Sequence, residues 1–160
     1  MKRIDIILNS QLFKDELMKI ETSEKERKFC CHGMTHLCDV ARIAYIICLE
    51  EKIIYPKDVI YAAAILHDLG RSKQLKNGEN HRSAGIKDIT KILENAGFNK
   101  NEIKEITNAI LNHGNCPIHG DRSLDAVLYY ADKKSRNCFM CKANAECNWP
   151  DAQKNKTLEY

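Results

Sequence analysis

The stretch AILHDLG, residues 64–70, decides how this chain is read. Its first half is apolar and continues an apolar run that begins at Val59, so it reads as the end of a buried helix. Its second half sets an imidazole beside a carboxylate, at His67 and Asp68, directly before Gly70. Pro56 and Asp58 suit the first turn of that helix, which is predicted to run through VIYAAAILHD, residues 59–68, and to stop at Gly70. A polar pair at the end of an apolar helix needs a reason.

Working outward, the flanking segments are helical as well. In MTHLCDVARIAYIICLEE, residues 34–51, Leu37, Val40, Ala41, Ala44 and Cys48 recur at helical spacing. RSAGIKDITKILENAGF, residues 82–98, sets Ile86, Ile89 and Leu93 on one face and ends at Gly97. NEIKEITNAILNH, residues 101–113, does the same with Ile103, Ile106, Ile110 and Leu111. SLDAVLYYADKK, residues 123–134, opens on Ser123, a good N-cap, and groups Leu124, Val127, Leu128 and Ala131. One or two less regular helices fill residues 4–28. RSKQLKNGENH, residues 71–81, and GNCPIHGD, residues 114–121, read as loops. The expected fold is a single all-α bundle of about six or seven helices over residues 1–136, with a cysteine-containing tail, residues 137–160, packed on it.

Composition bounds the classes. A chain of 160 residues suits one hydrophobic core. The net charge of +3 is too small to announce nucleic-acid binding. No stretch approaches the roughly 18–20 apolar residues of a membrane span, and the first apolar run, broken by Asp5 and Asn9, lacks the length of a secretion signal. A cytoplasmic protein is expected. In that reducing setting its 8 cysteines read as metal ligands or core thiols rather than disulfides.

The polar residues on the helices then form a series. His36 lies early on its helix, His67 and Asp68 end the next, His81 begins the third, His113 ends the fourth, and Asp132 follows the apolar face of the fifth. Helix bundles commonly build metal sites from such inward groups. Imidazole with carboxylate suits iron, manganese, zinc, cobalt or nickel. A bound ion lowers the pKa of its water toward about 7, so the His-Asp pair ends a buried helix because an ion needs a dry, shaped floor. His32, four residues before His36, reads as a sharer of that face or as a supporting surface residue, and His119 as solvated. Among basic residues flanking the series (Lys73, Arg82 and Arg136 included), Arg71 and Lys133 are the expected substrate contacts by adjacency.

This series, with HLCDVARIA, AAAILHDLGR and YYADKKSR, resembles the HD-domain metal-dependent phosphohydrolases over roughly residues 29–136. The resemblance implies that His36, His67, Asp68 and Asp132 hold one metal, and that Asp68 bridges to a second held by His81 and His113. Subfamilies with a full dinuclear site often pair histidines at the fourth position, whereas His113 is followed by Gly114; one or two ions are therefore expected. The Gly-Tyr-Pro signature of cyclic-dinucleotide phosphodiesterases is absent. The implied function is hydrolysis of a phosphoester or phosphoanhydride in a nucleotide-like small molecule by metal-activated water. Asp68, His81 and His113 would do the catalytic work, the two histidines as ligands or as acid/base and phosphate donors. A di-iron oxygenase uses the same ligands, and a non-catalytic nucleotide or redox sensor is a third class, disfavoured by the intact series.

A second constellation lies in CFMCKANAECNW, residues 138–149. Cys138, Cys141 and Cys147 give three thiolates at metal-ligand spacing, one short of a closed site. Cys30 or Cys31 could supply the fourth, and Cys30 is preferred by resemblance to HD proteins with such tails. Either a [4Fe-4S] cluster or a structural zinc would staple the tail to the start of the domain. Cys38 and Cys48 read as core, and Cys116 has no evident partner.

Overall fold

The computed structural model describes residues 1–160 and contains helices and no strands. Nine α-helices follow in order: α1 (Lys2–Asn9), α2 (Gln11–Ser23), α3 (Met34–Glu50), α4 (Lys57–Leu66), α5 (Arg71–Asn77), α6 (His81–Ala84), α7 (Ile86–Asn95), α8 (Lys100–Asn112) and α9 (Leu124–Lys134). Three single 3-10 turns, beginning at Cys138, Asn144 and Asp151, carry the tail. The all-α bundle is as expected.

The centre of the bundle is α3, which packs on α4 and α9, while α8 closes the other side against α4 and α9. The apolar periodicity explains this arrangement. α3 buries Leu37, Val40, Ala41, Ala44, Ile47 and Cys48, and α4 buries every residue from Ala62 to Leu66. The small run Ala62–Ala64 lets α4 sit close to its neighbours, and the large side chains Leu37, Leu66, Ile92 and Leu128 fill what remains. Each fully buried Leu or Ile contributes about 1.5–3 kcal/mol of transfer free energy. Local signals fix the starts: Ser123 Oγ caps α9 by accepting from Ala126 N, and Asn99 with Glu102 forms a reciprocal capping box at α8. Arg3 on α1 donates to Asp58 Oδ2 at 2.6 Å and to both Glu102 oxygens, tying α1 to α4 and α8, with its guanidinium 4.0 Å over the Phe98 ring.

Four details depart from the sequence expectations. Residues 71–77, expected as a loop, form α5. A helix this short is marginal alone, and tertiary contacts hold it: Ser72 Oγ donates to the buried Glu16 of α2, and Lys73 Nζ donates to Asp88 Oδ2 and Ala84 O. The predicted helix over 82–98 is broken at Gly85 into α6 and α7. Leu111 is 38% exposed, off the apolar face to which the spacing assigned it. Helical bonding in α4 ends at Leu66, so His67 and Asp68 stand in the turn after the helix.

Gly70 and Gly85 explain two of these departures together. Gly70 is right-handed at φ −70°, so it is not a left-handed cap. A Cβ there would lie 1.9 Å from the His81 carbonyl oxygen and 2.8 Å from Gly85 N. A Cβ on Gly85 would lie 2.9 Å from Gly70 N. The two backbones pass in direct contact, which only glycines permit, and this crossing sets the start of α6 against the turn that carries His67 and Asp68.

Candidate metal centre

Five elements converge on one buried point. His36 comes from the first turn of α3, His67 and Asp68 from the turn after α4, His81 from the start of α6, His113 from the C-terminal cap of α8, and Asp132 from the last turn of α9. His67 is 0% and Asp68 1% exposed. Asp68 Oδ2 lies 3.6 Å from His36 Nε2 and 3.3 Å from His67 Nε2, and Asp132 Oδ1 lies 3.4 Å and 3.9 Å from the same two nitrogens. Four ligand atoms thus form a closed ring with edges of 3.3–3.9 Å.

The donor chemistry fits a cation. The Nδ1–H of His67 donates to Ala64 O at 2.7 Å, which turns Nε2 toward the ring, and His113 is held the same way by Ile110 O at 2.6 Å. His67 Nε2 and both Asp68 oxygens are fully buried and have no hydrogen-bond partner. Orphaned buried acceptors cost about 1–3 kcal/mol each, more when charged. A metal ion satisfies all three at once. Burial alone would raise the Asp68 pKa, but His67, His36 and Arg71 reverse this and hold it well below the usual carboxylate range. Asp132 is likewise held low against its burial by His36, His67, Arg136 and Lys133. Burial opposes the charged form of His67 too, and the Asp68 carboxylate overrides it and raises that pKa. The carboxylates are therefore ionised and ready to bind.

The outer oxygens face a different set. Asp68 Oδ1 lies 3.8 Å from His81 Nε2 and 2.7 Å from Arg71 Nε, a contact of charge whose N–H is not aligned for a hydrogen bond. His113 shares a tight group of ligand atoms with His67 and Asp68, and its ring stands 5.6 Å from that of His81. Burial, seconded by Arg71 for His81 and by His67 for His113, pushes both pKa values down to about 4. Lys133 Nζ donates to Asp132 Oδ2 at 2.8 Å and sits 5.3 Å from the rings of Tyr129 and Trp149. Arg71 and Lys133 are thus each engaged with a pocket carboxylate. Arg82 instead donates to Asn115 Oδ1, and Lys73 to Asp88, away from the ring.

Two groups that the sequence leaves at the margin of the site lie in it. His32 is buried, its Nδ1–H donating to Glu24 Oε1 at 2.6 Å and its backbone N–H to Glu24 Oε2 at 2.7 Å, and its ring packs edge-on against His36 at 5.6 Å. The two residues flank an irregular segment, so no period links them. Arg136 was noted only as a flanking base. It donates to Asp132 Oδ1 at 3.1 Å and comes within 3.2 Å of His36 Nε2; it stands just past the end of α9, and its four-residue spacing from Asp132 is the signal that could have found it. His119 is exposed, as expected.

The thiols lie beside this pocket. Cys30, Cys138, Cys141 and Cys147 line one cavity, which His36 and Arg136 also reach. Cys48 is core, Cys38 half-buried and Cys116 exposed.

Three comparisons bear on this geometry. The family model described as HD domain matches residues 33–144. An uncharacterized protein of Clostridium beijerinckii is 41% identical over 160 residues, which is all of both chains. No solved structure matches.

Proposed function

The chain belongs to the HD-domain family, and from that premise we propose that it is a metal-dependent phosphohydrolase cleaving a phosphoester or phosphoanhydride of a small, nucleotide-like molecule. The family generally includes metal-dependent phosphohydrolases. The observation that carries the reading is the closed ring of His36, His67, Asp68 and Asp132 around orphaned, buried acceptors. Those four residues would hold the ion. Bound there, it supplies Lewis acidity toward a phosphoryl oxygen and acidifies water.

The chain's own residues do the rest. Asp68 turns Oδ2 into the ring and Oδ1 toward Arg71 and His81, so one carboxylate orients both halves of the pocket. Arg71 offers a guanidinium fork to phosphate oxygens and Lys133 a point charge. Both are partly open to solvent, with side chains 21% and 30% exposed. With pKa values near 4, His81 and His113 are neutral at pH 7, which suits acceptance of a proton from the attacking water rather than its donation. Arg71 already sets a positive charge 2.7 Å from Asp68 Oδ1. That favours one ion, with Arg71 receiving the phosphate and His81 and His113 left to accept a proton, over a second ion at the same oxygen.

The test pairs metal analysis with an activity panel. Protein purified without oxygen should carry one equivalent of a transition metal in the ring, and Asp68→Ala should lose it while keeping its helical circular dichroism. Nucleoside monophosphates, dinucleoside polyphosphates and cyclic nucleotides form the panel, run with and without dioxygen. Hydrolysis that needs no dioxygen supports the reading. Turnover only in its presence would transfer the site to oxygenase chemistry, and an Asp68→Ala protein that retains the ion would remove the ligand assignment.

A further inference from the structure

A cavity of about 320 Å³ opens between the irregular segment before α3 and the tail. Cys30, Cys138, Cys141 and Cys147 all line it. Burial raises the Cys30 pKa, Arg136 draws it down, and the other three thiols push it up, so all four lie within electrostatic reach of one another. Cys31 borders the same cavity but directs its thiol to the carbonyl oxygens of Glu24 and Phe29. The tail is held in place by bonds made outside the thiols. Lys28 pairs with Glu146, Asn144 Nδ2 donates to Cys138 O at 2.6 Å, and Asn155 Nδ2 donates to the carbonyls of Lys133 and Arg136 at 2.8 and 2.7 Å.

Charge and spacing say what the cavity takes. Lys28, Arg136, Lys154 and Asp39 line it, and the three cations also pair with Glu146, Asp132 and Asp151 in turn. Cationic side chains beside four thiols favour the thiolate form that a metal centre binds. A tetrahedral zinc, with Zn–S bonds of about 2.3 Å, draws its sulfurs to about 3.8 Å of one another. The ligand groups that come within 4.8 Å of one another in this chain are both in the His/Asp pocket, and neither contains a cysteine. No three of the four thiols come within 4.8 Å of one another, and the cavity they line is larger than one ion fills. A cubane cluster matches this, because each thiolate binds a different iron.

We propose that Cys30, Cys138, Cys141 and Cys147 hold a [4Fe-4S] cluster that shares Arg136 with the neighbouring His/Asp pocket. Arg136 faces both ways. It lines the thiol cavity and donates to Cys31 O at 3.3 Å, while its other nitrogen reaches Asp132 Oδ1 and His36 Nε2. A guanidinium against His36 Nε2 occupies the lone pair that an ion in the ring would use. A negatively charged cluster draws Arg136 toward the thiols and frees that nitrogen. Cluster assembly therefore favours occupation of the ring, and by thermodynamic reciprocity an ion in the ring favours the cluster.

The experiment reconstitutes the full chain anaerobically with ferrous iron and sulfide. The expected product is brown, has the broad visible absorption of thiolate–iron charge transfer, and carries about four iron and four sulfide per chain at the thiols. Cys141→Ser, at an exposed position, should abolish the cluster without unfolding the bundle, whereas Cys31→Ser should keep it. Manganese affinity of the ring, followed by electron paramagnetic resonance, should be about 5-fold or more higher with the cluster than without it, within the range of ordinary coupling. Arg136→Lys should shrink that ratio. A single zinc taken at the thiols in preference to iron, a cluster that survives Cys141→Ser, or a manganese affinity indifferent to the cluster in the wild-type chain would each overturn the proposal. The manganese measurement separates it from the phosphohydrolase reading, since cluster and coupling can be present in a chain that hydrolyses none of the panel.

Discussion

Gly70→Ala is the most informative single change in the bundle. The new Cβ would meet the His81 carbonyl oxygen at 1.9 Å, and ordinary contact begins at 3.4 Å, so the His81 backbone must retreat by about 1.5 Å. The obstacle is backbone on both sides, with Gly85 N at 2.8 Å, and no flexible side chain can swing away. Crowding of this kind costs about 1–3 kcal/mol, and for a domain of this size each kcal/mol lowers Tm by about 2–4 °C. The functional cost is larger, because His81 Nε2 faces Asp68 Oδ1 at 3.8 Å. A displacement of about 1 Å in a catalytic group costs on the order of 100-fold in rate. Gly97→Ala is the control: its φ of 82° is unfavourable for alanine, but nothing lies within 4 Å of the added Cβ, so it should lose about 1–2 kcal/mol from backbone strain alone. Thermal melts and turnover of the best phosphoester from the panel should show both variants destabilised and only Gly70→Ala slowed by about two orders of magnitude, with ion affinity of the ring little changed. A Gly70→Ala protein that melts and turns over like the wild type would refute the packing argument, and equal slowing in both variants would refute the assignment of His81.

Two further outcomes are expected. His113→Ala should cost far more rate than stability, about 100-fold in turnover against about 1–3 kcal/mol in denaturant melts, since Nδ1 is spent on Ile110 O and Nε2 faces the pocket; unchanged hydrolysis of every phosphoester would remove its role. Hydrogen bonds from Arg3 depress the pKa values of Asp58 and Glu102. Their folded values are lower than their unfolded ones, so the triad's contribution is complete above about pH 5 and is lost as pH falls through the ordinary range near about 4 toward the folded values; Arg3→Ala should cost about 1–2 kcal/mol at pH 7 and flatten the acid limb of a stability–pH profile.

How much of this was legible follows from what periodicity can report. The helices that carry the core, α3, α4, α7, α8 and α9, announce themselves because their apolar residues recur on one face. The convergence of the His/Asp series was legible in the same way: helix ends bring imidazoles and carboxylates inward, and the side chains of His36, His67, Asp68 and Asp132 meet at 3.3–3.9 Å. α5 was not legible, since Leu75 is its one large apolar residue and is 42% exposed; the contacts of Ser72 and Lys73 with distant segments make it helical. Gly70 was read as a stop signal, whereas its role is a backbone crossing with Gly85, a contact between elements that local sequence does not encode. The Glu24–His32 pair was hidden for the same reason.

The contact between Lys133 and Trp149 gives the molecule an optical property. Trp149 is the single tryptophan of the chain, it lies in the tail, and the ammonium 5.3 Å from its ring is the one bonded to Asp132. The indole emission therefore sits at the junction of tail and pocket, sensitive to solvent when the tail lifts and to the nearby charge when Lys133 shifts its partner. Undocking of residues 137–160 exposes the ring and moves its emission to the red, while filling the pocket leaves the ring in place and changes intensity alone. One unlabelled chain can thus report two events by two signals, a shift of the emission and a change of its intensity, with no dye and no engineered residue.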